Sequence, residues 1–507
     1  MIFQLSLDDV ENLINSDSLY LPSVYDDLYI TGNAISGWNL SPAPSFFPDM
    51  PIFFFYMFIT GNFIISILLY GLTQLGLISL GFLLVIKQFS KSAYAYLCFS
   101  HLFLILFILV ELIDGDFGFS YYIISNSYHM SAFISALFCM SYTLLFYKTS
   151  NTIWLATLLS HGTLALMSDK LFIITFIIPV IMVFLFTGLF KNRIRSVVLL
   201  TSFCLTYYFG TYFFELIKNS QSITIPEPHK YLAYENIANS FNIMFDQLGS
   251  YLFSFSIRST ILIIAIVSFL LLGSSLVKKL IAFRKKGKEV FDSQFIVYLF
   301  FFLFSTFVFL APALNGSYTG WDTLRYNFSA YIALTLLFPV LLFSRQKPEW
   351  LISKGQYPFF TLLVAFFTFL GVGLIQGKRT NPITYYPKIA SFMDDFVEKE
   401  ELGMGVGAYW DAKVITMCSK KNIKVFAAFE EMAPYYHATN QNWFYQNNDG
   451  SPAIFDFILA PNQNMIDNAE KYLGPISKTI NTPYFIIAKT KPFRFNPETY
   501  LPYLVDD

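Results

Sequence analysis

Long uninterrupted runs of apolar residues constrain this chain more than any other feature. A helix needs roughly 20 apolar residues to cross the hydrocarbon core of a membrane. Runs that meet or approach this length lie near 63–86, 93–113, 130–147, 152–168, 171–190, 197–217, 259–283, 293–313, 324–344 and 357–376. About ten spans are therefore predicted; the fourth is short, so 152–190 could form one re-entrant unit. Hydrophobic residues make up 55% of the 507 and charged residues 13%, which is more apolar surface than a soluble chain of this length can hide. No basic block suited to a phosphate backbone is present, which argues against nucleic acid as a partner. Cys98, Cys139 and Cys204 lie in apolar runs and Cys418 in the polar tail, so neither a disulfide framework nor a metal-ligand spacing can be read.

Basic residues orient the spans, because Lys and Arg collect in cytoplasmic loops. One set of alternate loops holds Lys87 and Lys91; Lys148; Lys191, Arg193 and Arg195; the cluster from Lys278 to Lys288; and Arg345, Lys347 and Lys354. The opposite set holds only Lys170, Lys218, Lys230, Arg258 and Arg325, and residues 1–62 contain no Lys or Arg. The first 62 residues and the tail from about 378 therefore face outward together. This divides the chain into an outward acidic and aromatic loop (1–62), a transmembrane domain (63–377) and a C-terminal outer domain (378–507). No hydrophobic helix precedes the first loop. Either the acidic stretch translocates by itself, or the start has been placed too late and an upstream helix is lost.

The outer face carries the unusual residues. The first loop has Asp17, Asp26, Asp27 and Asp49 among aromatics, with Pro42, Pro44, Pro48 and Pro51. Prolines at that density forbid a long helix over 40–51 and favour a fixed, extended loop. His161, Asp169 and Lys170 lie in SHGTLALMSDKLF at the outer mouth of spans four and five, and Asp322 and Arg325 in YTGWDTLRYNF at the outer start of span nine. Asp114 and Asp116 close span two. Ionisable groups at membrane depth are costly and mark substrate paths, or else snorkel from helix ends. In the loop 218–258, Phe241, Met244, Phe245, Leu248 and Leu252 share one helical face. That pattern predicts a helix lying in the membrane interface, as a guide for a lipid tail or as packing.

From about 385 the pattern changes to a soluble α/β domain. GMGVGAYW, IKVFAAF, FDFILA and YFIIAK read as strands, DAKVITMCSKK and MIDNAEKYL as helices. Alternation of this kind predicts a small, largely parallel sheet. Gly403, Gly405 and Gly407 read as strand and turn glycines, since their spacing is wrong for a dinucleotide fingerprint. Tyr435, Tyr436, His437 and Trp443 give MAPYYHATNQNWF a composition suited to sugars.

An outward first loop with an early Asp, many spans, charges at outer helix ends, the Arg325-Tyr326 pair opening a late span and an outer C-terminal domain together resemble the GT-C glycosyltransferases. The likeness is to bacterial relatives of protein O-mannosyltransferases and of the lipid A aminoarabinose transferase. It covers the layout of the whole membrane part, with residue matches at Asp17, Asp169-Lys170 and Arg325-Tyr326. The resemblance implies a polyprenyl-phosphate sugar as donor, an envelope or lipid-linked glycan as acceptor, contact with membrane lipid, and a place in the bacterial cytoplasmic membrane. It also implies Asp17 as the general base, with Asp26 and Asp27 as alternatives. Lys170, Arg325 and His161 would hold the donor phosphate; Asp169 and Asp49 would orient the acceptor or hold a divalent metal ion. In many family members an acidic residue directly follows the Asp; here it is Ser18. Competing readings are a lipid-linked glycan transporter or flippase, an O-antigen-type polymerase or ligase, and a glycan-binding assembly or sensor protein. Against the first, no internal repeat is visible and the charges gather at outer ends. Against the second, the outer loops hold almost no Arg.

Overall fold

The computed structural model describes residues 7–94, 96–97, 100–101, 104, 119–125, 129–188, 193–220, 223–226, 233–254, 257–320, 323–343 and 380–505. The first loop holds two short helices, α1 (Leu7–Leu13) and α2 (Tyr20–Tyr25), a π-helical turn over Asp26–Ile30 and a two-residue strand β1 (Trp38–Asn39). As the prolines require, residues 40–48 stay out of helix, and α3 (Asp49–Thr60) starts only at their end. Pro51 lies in the first turn of α3, where a missing N–H costs nothing.

The apolar runs then form helices: α4 (Phe63–Ile86), α5 (Phe119–Ile124), α6 (Met130–Thr149), α7 (Thr152–Ser168), α8 (Ile178–Gly188), α9 (Arg193–Ser220), α10 (Ile237–Phe253), α11 (Ile257–Lys286), α12 (Ser293–Leu314) and α13 (Leu324–Phe343). Among the described residues, six are long and apolar enough to cross a membrane: α4, α6, α9, α11, α12 and α13. The expected span at 93–113 lies largely, and that at 357–376 wholly, outside the described residues, as do Asp114, Asp116 and Asp322. The runs 152–168 and 171–190 give shorter helices. Asp169 breaks them apart: it leaves the helical conformation at φ −152°, and its Oδ1 accepts from Leu171 N at 2.9 Å.

Capping follows the sequence closely. Asn62 opens α4 by accepting from Ile64 N and Ile65 N, and Asp292 opens α12 by accepting from Phe295 N at 2.8 Å, each satisfying orphan donors of a first turn. Small residues set the closest helix approach. A Cβ on Gly162 of α7 would lie 2.8 Å from Thr206 Cγ2, and one on Gly210 of α9 would lie 2.8 Å from Leu166 Cβ. With no hydrophobic drive between helices in lipid, close van der Waals packing of this kind is what associates them. The expected interfacial helix is α10, which buries Met244 and packs Phe241 and Leu248 beside Ala313 and Tyr318 while Phe245 stays exposed.

The tail contains α14 (Lys388–Glu400), β2 (Met404–Gly407), α15 (Tyr409–Cys418), β3 (Val425–Ala427), β4 (Thr439–Asn440), β5 (Phe455–Ala460), α16 (Gln463–Leu473), β6 (Lys478–Asn481), β7 (Ile486–Phe495) and β8 (Pro502–Leu504). Its sheet has the order β3-β2-β5-β7-β6, with β8 also on β7. This corrects the expectation of a largely parallel sheet. Only the β2–β3 and β2–β5 pairings are parallel; β7 runs antiparallel to β5, β6 and β8. Alternation along β5 builds a layer on each side. Phe457 and Leu459 pack with Met393, Ala412 and Ile415, whereas Ile458 and Ala460 pack with Met465, Ile466 and Ala469. Gly405 is a strand glycine for a steric reason: a Cβ there would lie 2.2 Å from the Phe457 ring.

Candidate active site

The two ends of the chain meet. β1 pairs antiparallel with β4, joining Trp38 to Asn440 and Asn39 to Thr439. Beside that pairing sits Asp27, 2% exposed. Its Oδ1 accepts from Asn33 Nδ2 at 2.7 Å and Trp443 Nε1 at 3.0 Å, its Oδ2 from Trp38 Nε1 at 2.6 Å and Asn440 Nδ2 at 2.9 Å. A buried carboxylate is tolerable only when its acceptor sites are filled. Here four N–H donors fill them, leaving no oxygen open to a substrate proton. Among the sequence candidates Asp27 is thus a fastening between the first loop and the tail.

Next to this fastening lies a cavity of about 700 Å³. The first loop contributes Asp17, and the first turn of α13 contributes Arg325. Three parallel strands supply much of the opposite wall: Tyr409 and Trp410 follow β2, Phe429 and Glu430 follow β3, and Pro461 follows β5. Ligand sites in open α/β sheets form outside the carboxyl ends of parallel strands, and this cavity occupies that position. Tyr409 donates its hydroxyl to Asp17 Oδ1 at 2.8 Å, while Ser16 Oγ donates to the Tyr409 carbonyl at 2.7 Å. The Tyr409 hydroxyl therefore fixes one carboxylate oxygen of Asp17. Sequence reading missed Tyr409; an aromatic pair directly after an apolar parallel strand was the signal for it.

The polar groups continue into the helices. The Arg325 guanidinium lies 5.2 Å from the Tyr326 ring centroid, and that ring is 5.1 Å from the His129 ring. His129 Nδ1 is 2.7 Å from Asp169 Oδ2. Asp49, at the start of α3, is buried and accepts from the Tyr70 hydroxyl. Burial pushes the Asp49 carboxyl up to about 6, hydrogen bonds from Tyr70 and Ser131 hold it down, and the Asp169 charge adds to the rise. Asp17 and Arg325 thus share one cavity, and Asp169 reaches it through His129 and Tyr326. The remaining sequence candidates lie elsewhere. Lys170 is exposed, with Nζ 5.2 Å from the Phe214 ring centroid. His161 is not at a helix mouth but within α7, among Phe47, Phe138 and Tyr142, its Nε2 buried and without a hydrogen-bond partner among the described residues. Asp26 faces a different cavity.

Among the described residues, no three or more His, Cys, Asp or Glu side chains are grouped to hold a metal ion. Asp49 and Asp169 are already engaged by Tyr70, His129 and Leu171 N, so this donor set does not fit a divalent cation.

Behind Tyr409 sits Lys413, 8% exposed, donating to the Ala438 carbonyl at 2.8 Å with Nζ 5.3 Å from the Tyr409 ring centroid. Burial lowers its ammonium to about 7, and the Asp17 charge opposes the drop. The unfolded side chain keeps its proton to about 10.4. Between about pH 7 and 10 the unfolded state therefore binds more protons, and folding gains stability as pH rises. Thermal unfolding in detergent should reveal this: the wild type gains stability relative to Lys413→Met from pH 7 to pH 10. A pH-independent difference between the two would contradict it. Burial also lowers the His437 imidazole; Asp17 partly offsets this, and Lys413 and Arg325 reinforce it.

No family model and no curated protein matches the chain. The solved structures that resemble the chain include ArnT from Cupriavidus metallidurans, crystallised with undecaprenyl phosphate. The likeness spans 96% of this chain and 94% of that one, at 12% sequence identity and a TM-score of 0.49.

Proposed function

We propose that this chain is a GT-C-type glycosyltransferase that moves a sugar from a polyprenyl-phosphate carrier to a cell-envelope glycan at the outer face of a bacterial cytoplasmic membrane. The observation that carries the reading is a carboxylate, Asp17, and a guanidinium, Arg325, lining one cavity at the head of a membrane helix. The acceptor hydroxyl attacks the anomeric carbon as the Asp17 carboxylate takes its proton. The bond between that carbon and the phosphate oxygen breaks, and its electron pair goes to the lipid phosphate. Arg325 stabilises the charge that develops there. Tyr409 holds Asp17 Oδ1, which leaves Oδ2 to the acceptor. The Asp169–His129 pair braces Tyr326 beside Arg325, while Lys170, His161 and Asp49 carry no step.

A place for the carrier's tail supports the same reading. A cavity of about 550 Å³, lined almost wholly by apolar side chains, lies between α10 and the spans α11, α12 and α13. Phe245 and Leu252 of α10 and Tyr331 of α13 line it. Tyr331 is six residues from Arg325, about 9 Å along the helix axis. On this reading the isoprenoid chain of a phosphate held at Arg325 runs around α13 to reach this cavity.

The test is transfer from a panel of radiolabelled polyprenyl-phosphate sugars into membrane glycans by the purified protein. Arg325→Ala is expected to lower the rate about a hundredfold or more, with partial recovery in Arg325→Lys, because a point charge lacks the two-pronged contact. Failure of every donor with folded protein would refute the reading.

A further inference from the structure

A second cavity, of about 370 Å³, lies on the other side of the Asp27 fastening and shares no lining residue with the main one. A narrow void of about 30 Å³ separates the two; Tyr409 borders it and the main cavity, whereas Ser23, Thr416 and Trp443 border it and the second. The π-helical turn creates this arrangement from two adjacent acids. It turns Asp27 to the tryptophans, at the edge of the second cavity, and sets Asp26, half-buried, beside it on the same cavity. Single π turns inside helices recur at functional positions.

The second cavity is built to recognise something polar with an apolar face. One wall is aromatic and rigid: Trp443 is held by its indole bond to Asp27, by the edge of Trp38 at 5.4 Å and by stacking on Phe426 at 5.6 Å. An aromatic fixed in advance offers a ligand face at little entropic cost. Around it stand Asp26, Asp27, Asp449, Lys424 and Asn448. Asn448 Oδ1 accepts from Asn33 Nδ2 at 3.1 Å, so its own amide donors remain for a ligand. Burial raises the Asp26 carboxyl, and the Lys424 charge opposes the rise. No ion pair between Asp26 and Lys424 is made within 4.0 Å among the described residues. Three carboxylates, Asp26, Asp27 and Asp449, stand here against one ammonium, which disfavours an anion. Asp27 is taken by its four N–H donors and Asp449 Oδ1 by Ser451, so Asp26 and Lys424 are the charged groups that face a ligand's hydroxyls. A polyol satisfies both, donating to the carboxylate and accepting from the ammonium and amide, with its apolar ring face on the indole.

We propose that this cavity is a saccharide-binding site, separate from the main cavity, which holds an outlying sugar unit of the acceptor glycan. It rests on the transferase reading for the word acceptor, whereas binding itself is measured without any transfer. The full chain, purified in a sugar-free zwitterionic detergent, is titrated with galactose, glucose, N-acetylglucosamine, glucosamine, lactose and cellobiose. Tryptophan fluorescence and saturation-transfer NMR report binding. At least one sugar is expected to bind, with apparent affinity about tenfold weaker in Asp26→Asn and in Lys424→Met and unaltered in Asp17→Asn. Lys424 is exposed, so its variant keeps the test open if Asp26→Asn fails to fold. Absence of binding by all six sugars overturns the proposal. Binding that is lost in Asp17→Asn but indifferent to Asp26→Asn and Lys424→Met also overturns it, by moving the sugar to the main cavity. The transferase reading survives either result.

Discussion

Replacing Asp17 by Asn is expected to lower kcat for sugar transfer by about 10²–10⁴, the usual worth of a positioned general base, with little change in binding of the polyprenyl phosphate. The substitution keeps size and shape, and Asn still offers a carbonyl oxygen to the Tyr409 hydroxyl that now reaches Oδ1 at 2.8 Å. What it removes is the capacity to accept a proton. A loss of rate without loss of lipid binding is the pattern of an interaction made only in the transition state. Arg325→Ala should behave differently and weaken the lipid phosphate itself. Full activity in Asp17→Asn would pass the role to Glu430, which also lines the main cavity and accepts from Asn462 Nδ2 at 2.6 Å. Asp26 could not inherit it, because it faces the other cavity.

The largest expected effect on stability is at Asp27. Asp27→Ala leaves two indole and two amide N–H groups unpaired in a buried setting. Leaving a buried donor unsatisfied costs about 1–3 kcal/mol per group, so the loss of four partners at once is expected to amount to several kcal/mol. Asp27→Asn should be nearly as harmful, since its own N–H₂ must then face donors. Apparent melting temperature in detergent reads the loss, and limited proteolysis should find new cleavage where β1 leaves β4. A variant that melts with the wild type would show that the β1–β4 pairing holds without its carboxylate.

Span positions were legible because the apolar runs are long and their ends are marked: Asn62 and Asn151 cap α4 and α7 where the runs begin. The strand FDFILA was equally plain, and Phe455–Ala460 is that strand. Arg325 and Asp17 were legible as charges in chemically odd surroundings. The role of Asp27 was not. Two of its four donors, Trp443 and Asn440, lie 416 and 413 residues away, and no local pattern encodes such a partner. Lys413 was invisible for the opposite reason, as one basic residue in an ordinary amphipathic stretch whose burial comes entirely from tertiary packing. The sheet was misread as largely parallel because β6, KTIN, and β8, PYL, lack the apolar runs of the parallel strands. His161 was misplaced because helical position alone does not distinguish a polar mouth from an aromatic cluster.

The Tyr409 hydrogen bond joins residues 392 positions apart in sequence. A ribosome therefore delivers Asp17 early and its hydrogen-bond partner much later. Throughout that interval the nascent chain carries the acid and the helices without the strand ends that wall the cavity. Translation order thus leaves the cavity open-sided in any unfinished or prematurely terminated copy.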